Sequence, residues 1–547
     1  MLPDLVEEAR PRIEDGTFRE FWAQLERIAG CTRPIRLSGR SNHVDLRTGE
    51  IRPFFDSATK PDGTILIACG NRRASVCPSC SWTYAGDAWQ IVHTGLAGGR
   101  SIPDTVIDHP GLFVTVTAPS FGPVHTRNAK HGQPAKTCHR LSGFCPHGRP
   151  RGCWAVHDAT DDPALGQALC LDCYDYLGAV IWNATAARLF KRTVDLCYRR
   201  LAHMAGVPLT SGVRKDGSRR VGIRELLRIS YVKVAEMQAR SLIHFHGILR
   251  LDGFSPIPGD YPPPPDWATG RLLARAWRWA VEQVSEPCPT PAAAGLAAAR
   301  WGEQHHERHL TVAGGAELDD TTTVVPDGPL SARAVGNYLA KYVTKGVTDS
   351  GVLDQPIRTS DDLRLVLPLL SAHQAAMVRT AWYLGGPVLP LPRHQARRPH
   401  TDPPPDPPPP RPLAELRLRQ NAHQFGYRGH WLTKSRVYSL TFGACRQARR
   451  DWQRTHDANG NPRTPLDAWG RPLEADTGDE ILTIGEWTFE GAGYRLAGDA
   501  QLAAMAADLA RSHREAARTA RQGTDPGANR QEAAGAGHST PFRKEHP

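Results

Sequence analysis

The sequence predicts an α+β protein in which a central antiparallel sheet is flanked by helices and interrupted by metal-binding inserts. Three observations predict it. The neighbouring segments LLRISYVKVAEMQ and SLIHFHGILRLDG alternate apolar and polar residues, the period-two pattern of half-buried antiparallel strands. Long segments such as YDYLGAVIWNATAARLFKRTVDLCYRRLAHMAG (174–206) carry apolar residues at helical spacing. Two CxxC knuckles stand among twelve cysteines, which in a reducing compartment suits zinc better than disulfides. With 50 Gly and 46 Pro in 547 residues, an all-helical bundle is excluded and many turns are expected.

In chain order, LVEEARPRIED and FREFWAQLERIAG predict a short helix within residues 1–30. Cys31, Cys69, Cys77 and Cys80 follow, so 1–105 reads as an N-terminal zinc-binding region. GLFVTVTAPS (111–120) is a strand, and the Cys-, His-, Gly- and Pro-rich stretch 125–175 is an insertion stapled by metal. The helix 174–206, the strand pair, an Ala-rich helical segment 269–300 and a helix opening at Pro329-Leu330-Ser331 complete a domain spanning 106–350. LLSAHQAAMVRTAWYLGG (369–386) is a further helix, and TDPPPDPPPPRP (401–412) is a polyproline linker, so 351–412 joins two regions. Residues 413–500 are basic, with Trp431, Trp452 and Trp487; 501–547 is an Ala/Arg-rich helix running into a polar tail.

Lys plus Arg number 67 against 56 Asp plus Glu, a net charge of +11, and this points to a polyanionic partner, most simply nucleic acid. Ten of the 67 basic residues are Lys, an Arg dominance that a GC-rich coding genome produces. No apolar run is long enough to span a bilayer and the N-terminus is polar, so a cytoplasmic protein is expected.

Three segments carry the chemistry: FVTVTAPS, HFH and NYLAKYVTKG. On a strand, His244 and His246 point to one face while Phe245 points to the other. Two imidazoles on one face can grip one cation, although HxH alone is a weak signal. Glu236 on the neighbouring strand is the candidate third ligand, with Gln238 the alternate on the same face. Tyr338, Lys341, Tyr342 and Lys345 fall at i, i+3, i+4 and i+7, one helical stripe of two phenols and two ammonium groups. Val335, Leu339 and Val343 form an adjacent apolar row that can dock the helix. A phenol is mostly unreactive at neutral pH, but a nearby cation favours the phenolate. A divalent cation, Mg²⁺ or Mn²⁺, polarising a phosphate beside a tyrosine oxygen is a nucleophilic phosphodiester-cleaving arrangement.

Cys77-Pro-Ser-Cys80 with Cys69 and Cys31 can make a four-thiolate zinc site. Cys170-Leu-Asp-Cys173 is the second knuckle, with partners among Cys138, Cys145, His147, Cys153 and His157; Cys145 and Cys153 are favoured. Cys197, Cys288 and Cys445 are isolated and read as bystanders. HQFGYRGHWLTKSRVYSLTFGACRQARRDWQR interleaves aromatics with basic residues, a composition that suits phosphate contacts and base stacking.

The order FVTVTAPS, HFH, YLAKYVTK resembles the rolling-circle initiators of the HUH endonuclease superfamily, in its two-tyrosine branch. CGNRRASVCPSCSWTYAGDAWQ, LCLDCYDYLGAVIWNATAARLF, VAEMQARSLIHFHGILRLDG, YLAKYVTKG, HQFGYRGHWLTKSRVYS and EWTFEGAGY together resemble the replication initiator (RepSA) family of actinomycete integrative plasmids over roughly 65–495. The resemblance implies a five-stranded antiparallel catalytic sheet and a nickase that cuts one strand at an origin through a tyrosine-linked 5′-phosphate. It makes His244 and His246 the metal histidines, Tyr342 the main nucleophile, Tyr338 the second tyrosine, and Lys341 and Lys345 the lysines of that helix. Single-stranded and origin DNA are the implied partners. The sequence has no phosphate-binding P-loop, so a host helicase would be recruited. An HUH transposase or relaxase would share the chemistry; a non-catalytic zinc DNA-binding regulator would explain the charge and the knuckles but leave the Tyr/Lys stripe unused.

Overall fold

The computed structural model describes residues 2–129, 133–289, 297–310, 332–344, 353–386, 411–456, 461–462, 464 and 481–523. It divides into two compact units, Met1–Trp82 with Leu473–Pro547, and Thr83–Pro472. Both mix helices with antiparallel strands.

In the first unit the N-terminal segment forms two helices, Leu2–Glu14 and Phe18–Arg27, where the sequence suggested one. The break falls at Asp15, whose carboxylate accepts the Thr17 amide at 3.0 Å and its hydroxyl at 2.5 Å, a local turn that competes with helix. The central strand Ile35–Asp45 pairs on one side with Ile481–Ala492 over its whole length, and on the other with Ile51–Asp56 and Ile65–Ile67. The C-terminal helix Ala497–Gly523 packs Leu502, Ala503 and Ala506 against Phe21 and Leu25. Gly30 has φ +66°, and a Cβ there would lie 2.4 Å from the Ala503 carbonyl oxygen, so only glycine lets the chain pass this close. Arg12, 1% exposed, forks to Asp499 (3.0 and 2.7 Å) and Asp62 (3.0 and 2.7 Å).

The second unit is built on a five-stranded antiparallel sheet in the order His305–His309, Gly111–Thr117, Ile243–Gly253, Leu227–Met237, Leu432–Lys434. One face packs on the 30-residue helix Tyr176–Ala205, which Asp175 caps at its start and Gly206 closes in the left-handed conformation. Phe245, Leu249 and Ala235 meet Phe190, Trp182 and Trp277 there in the largest core of the molecule. The opposite face packs Phe113, Val232, Val234 and Ile248 against Val335, Leu339 and Val343 of the helix Ala332–Val343 and against Ala88 and Val92 of the helix Pro78–Ala97. The apolar row read from the sequence therefore docks this tyrosine helix. The indole of Trp89 donates to Asn337 Oδ1 at 2.9 Å and fixes its azimuth.

Among the described residues the Ala-rich segment is helical over Gly270–Gln283 alone, and Glu286–Pro287, whose proline cannot continue the helix, pairs with Ala298–Ala299. Helices Ser360–Val366 and Ala372–Leu384 carry capping boxes at Thr359 and Ser371. Residues 387–410, which include most of the proline tract, and the helix start at 329–331 lie outside the described residues, as do 524–547 of the tail. Among the described residues no helix is long and apolar enough to cross a membrane.

Candidate active site

His244 and His246 sit side by side on one face of the central strand, ring centroids 4.5 Å apart, while Phe245 is buried on the other face. Register sets their partners. Thr117 lies opposite His244 and Thr115 opposite His246 on the strand Gly111–Thr117. Their hydroxyls reach the Nδ1 atoms at 2.9 Å and 3.2 Å. A ligand to the sheet face would therefore meet Nε2 of each ring, with the other nitrogen held by a neighbour, as metal-binding imidazoles are. Burial first, then the charges of His246, Arg240 and His306, push His244 well below the ordinary histidine range, so it is neutral at pH 7, the form that binds cations.

Glu236 stands opposite His244 in register and brings Oε2 to 3.2 Å from His246 Nε2. Gln238 Nε2 reaches His244 Nδ1 at 3.5 Å, at the edge of bonding distance. Two imidazoles and a carboxylate are a donor set that divalent cations accept.

The tyrosine helix lays both phenols over this face. The Tyr338 hydroxyl is 3.4 Å from His246 Nε2, and its ring stands edge-on to the imidazole at 5.0 Å. The Tyr342 ring lies 5.2 Å from His246 and 4.6 Å from Tyr338. Both tyrosines are buried, and burial, with Tyr342 and Glu236 adding to it, pushes the Tyr338 phenol far above its ordinary value. Lys341 is exposed, so it does not share the buried side of the helix with the tyrosines; Lys345 lies outside the described residues.

Sequence reasoning gave no role to Thr115 and Thr117, although their alternation in FVTVT aims both at the histidine face. It also passed over His306, which lies opposite Thr115 on the same face at the next strand.

Among the described residues, three groups of four Cys or His side chains bring their ligand atoms within 4.8 Å of one another and could hold a metal such as zinc. Cys31, Cys69, Cys77 and Cys80 form the first, as their spacing suggested. The Cys31 thiol accepts the Cys69 amide at 3.3 Å, and Cys77 accepts that of Cys80 at 3.5 Å. The second knuckle requires a correction: Cys170 and Cys173 meet Cys145 and His147, whereas Cys153 joins His125, Cys138 and His157. Strand Cys153–Val156 pairs with Thr137–His139, and this register carries Cys153 to the Cys138 side of the insertion. His244, His246 and Glu236 are not drawn into a group of that compactness. Cys197 and Cys445 are buried, and Cys288 is half-buried, outside these groups.

Antiparallel sheets, helices and Cys/His clusters able to hold metal define a mixed α+β protein with metal-binding capacity. The chain belongs to the RepSA family of replication initiators: residues 17–508 match the family described as "Replication initiator protein, pSAM2". A replication initiator protein of Streptomyces ambofaciens is 37% identical over 503 residues, 91% of each chain. No solved structure matches the chain.

Proposed function

We propose that this initiator is an HUH-type nickase that cuts one DNA strand at a plasmid origin and retains the 5′ end on tyrosine, starting rolling-circle replication. The observation that carries the reading is the convergence of the Glu236 carboxylate and the Tyr338 hydroxyl on His246 Nε2. A divalent cation, Mg²⁺ or Mn²⁺, held by His244, His246 and Glu236 would polarise the scissile phosphate and offset the charge that develops on it.

The remaining chemistry belongs to the chain. A tyrosine oxygen bonds to phosphorus as the P–O3′ bond breaks. The phenol loses its proton and the departing 3′ oxygen gains one, leaving a phosphotyrosine and a free 3′-hydroxyl. With two phenols one turn apart, one can hold the first DNA end while the other attacks the regenerated junction, and Tyr342 is assigned the first cleavage. Both phenols are buried here, so the phosphate reaches them when the tyrosine helix lifts from the sheet or its neighbours part. Lys341, exposed on this helix, and Lys345 are assigned to neutralising the DNA backbone. Structural zinc in the cysteine clusters, recruitment of a host helicase and a cytoplasmic location complete the proposal.

The test is incubation of the full chain with a single-stranded origin oligonucleotide and Mn²⁺ or Mg²⁺. A covalent protein–DNA adduct is expected; tight binding without cleavage in either metal would overturn the reading in favour of a regulator.

A further inference from the structure

The insertion that joins the strand Gly111–Thr117 to the helix Tyr176–Ala205 contains eight of the metal-capable side chains, in two groups of four. We propose that it is a cross-braced binuclear zinc module, in which His125, Cys138, Cys153 and His157 hold a Cys₂His₂ zinc that the knuckle spacing does not reveal.

Distances support it first. Zinc bonds of about 2.0–2.3 Å in a tetrahedron separate neighbouring ligand atoms by about 3.3–3.8 Å. His125 Nδ1 lies 3.2 Å from His157 Nε2, and Cys153 Sγ lies 3.7 Å from the same nitrogen. The ligand edges are thus close to those of an occupied site.

The surroundings support it second. His157 Nδ1 is 2.7 Å from Asp162 Oδ2, while Asp162 Oδ1 accepts the Ala164 amide at 2.8 Å. A carboxylate held by backbone and bonded to the far nitrogen of a histidine fixes the tautomer that leaves Nε2 free to bind metal. The Cys138 thiol accepts the Thr126 amide at 3.2 Å, which holds its sulfur in place. Cys138 and His157 are buried.

The third support is what else could hold the insertion together. Its strands Thr137–His139 and Cys153–Val156 are three and four residues long. Within it Leu141, Phe144, Trp154 and Val156 point outward, at 51%, 73%, 66% and 54% exposed, while its buried aromatics Phe121 and Tyr174 sit at its two ends in the core beneath the sheet. A segment this short without an apolar core needs covalent or metal staples.

The order of the ligands gives the topology. Along the chain the pairs run His125/Cys138, Cys145/His147, Cys153/His157, Cys170/Cys173, alternating between the two groups. Each metal therefore clamps two pairs with one pair of the other site between them, and neither loop is held by one metal alone. The first pair begins eight residues after Thr117, which touches His244.

The test is zinc analysis of the full chain with cobalt substitution. Wild type should hold three zinc per chain, His157→Ala two, and His157→Cys three. The cobalt spectrum of His157→Cys should gain thiolate-to-metal intensity, because a third sulfur enters that site. Asp162→Asn should keep three but release one to a chelator about 10–100-fold more readily. Two zinc in both wild type and His157→Ala would overturn the proposal. So would a His157→Cys cobalt spectrum identical to wild type, a readout that survives if His157→Ala fails to fold.

Discussion

The hydroxyl of Tyr338 lies 3.4 Å from Nε2 of His246, the ring nitrogen that Glu236 Oε2 also approaches at 3.2 Å. A phenol from a helix and a carboxylate from the neighbouring strand thus share one atom of a sheet histidine. The sharing makes the two tyrosines unequal in this conformation: Tyr338 contacts the metal-capable nitrogen, and Tyr342 packs beside it.

That inequality is testable against the proposed order of attack. Tyr342→Phe keeps the ring packing but has no oxygen to attack phosphorus, so the first covalent adduct should disappear. Tyr338→Phe should still cleave and should impair strand rejoining. Mass spectrometry of the DNA-linked peptide checks this; an adduct on Tyr338 alone, with Tyr342→Phe fully active, would exchange the two roles.

Thr115 is a positioning residue for His246. Thr115→Val keeps the shape but removes the hydroxyl from Nδ1, and loss of a hydrogen bond that orients a metal-binding imidazole costs about 10–100-fold in metal affinity. The Mn²⁺ concentration for half-maximal nicking should rise by that factor, with the rate at saturating Mn²⁺ nearly preserved. His244→Ala with His246→Ala should abolish nicking at all concentrations while DNA binding persists. Unchanged metal dependence in Thr115→Val would remove the threonine from the site.

The sequence made the heart of the second unit legible because its strands are long and alternate: the apolar residues of Leu227–Met237 and Ile243–Gly253 mark one face, and the histidines therefore mark the other. The edge strands were not legible. Leu432–Lys434 is three residues long, and His305–His309 has no apolar residue to mark a face. The pairing of Ile35–Asp45 with Ile481–Ala492 joins segments from opposite ends of the chain, and nothing local to either names its partner. Cysteine spacing located the first cluster but misassigned Cys153, because a short strand pairing, not proximity in sequence, decides which thiols meet.

In the first unit, Arg12 and Asp499 are both 2% exposed at the side chain. Removing one member of such a buried pair leaves an uncompensated charge and costs about 3–5 kcal/mol. Arg12→Met should lower the stability of this unit by that order. Arg12→Met with Asp499→Leu should recover much of the loss, since no buried charge then remains at that pair. Calorimetry of the three proteins measures the coupling; equal destabilisation by the single and the double variant would show that the pair carries none.

Lys233 offers the last prediction. It sits on the sheet face opposite the histidines, 4% exposed, with Nζ 3.8 Å from the centre of the Phe245 ring and 5.0 Å from that of Phe190. Burial pushes its ammonium down to about 7, against an unfolded value near 10.5. The sign follows from proton counting. Between pH 10.5 and 7 the unfolded chain binds a proton at this lysine and the folded chain does not, so lowering the pH through that window favours unfolding. Below pH 7 both states are protonated and the cost becomes constant. Lys233→Met keeps the length of the stem without the charge and should stabilise the second unit by about 2–4 kcal/mol at pH 7, after allowing for the lost cation–π contacts. The gain should shrink steadily as the pH approaches 10. Denaturant unfolding of both proteins at pH 7, 8.5 and 10 reads this slope, and a gain that is absent at pH 7 or independent of pH would mean that the amine reaches solvent in the folded protein.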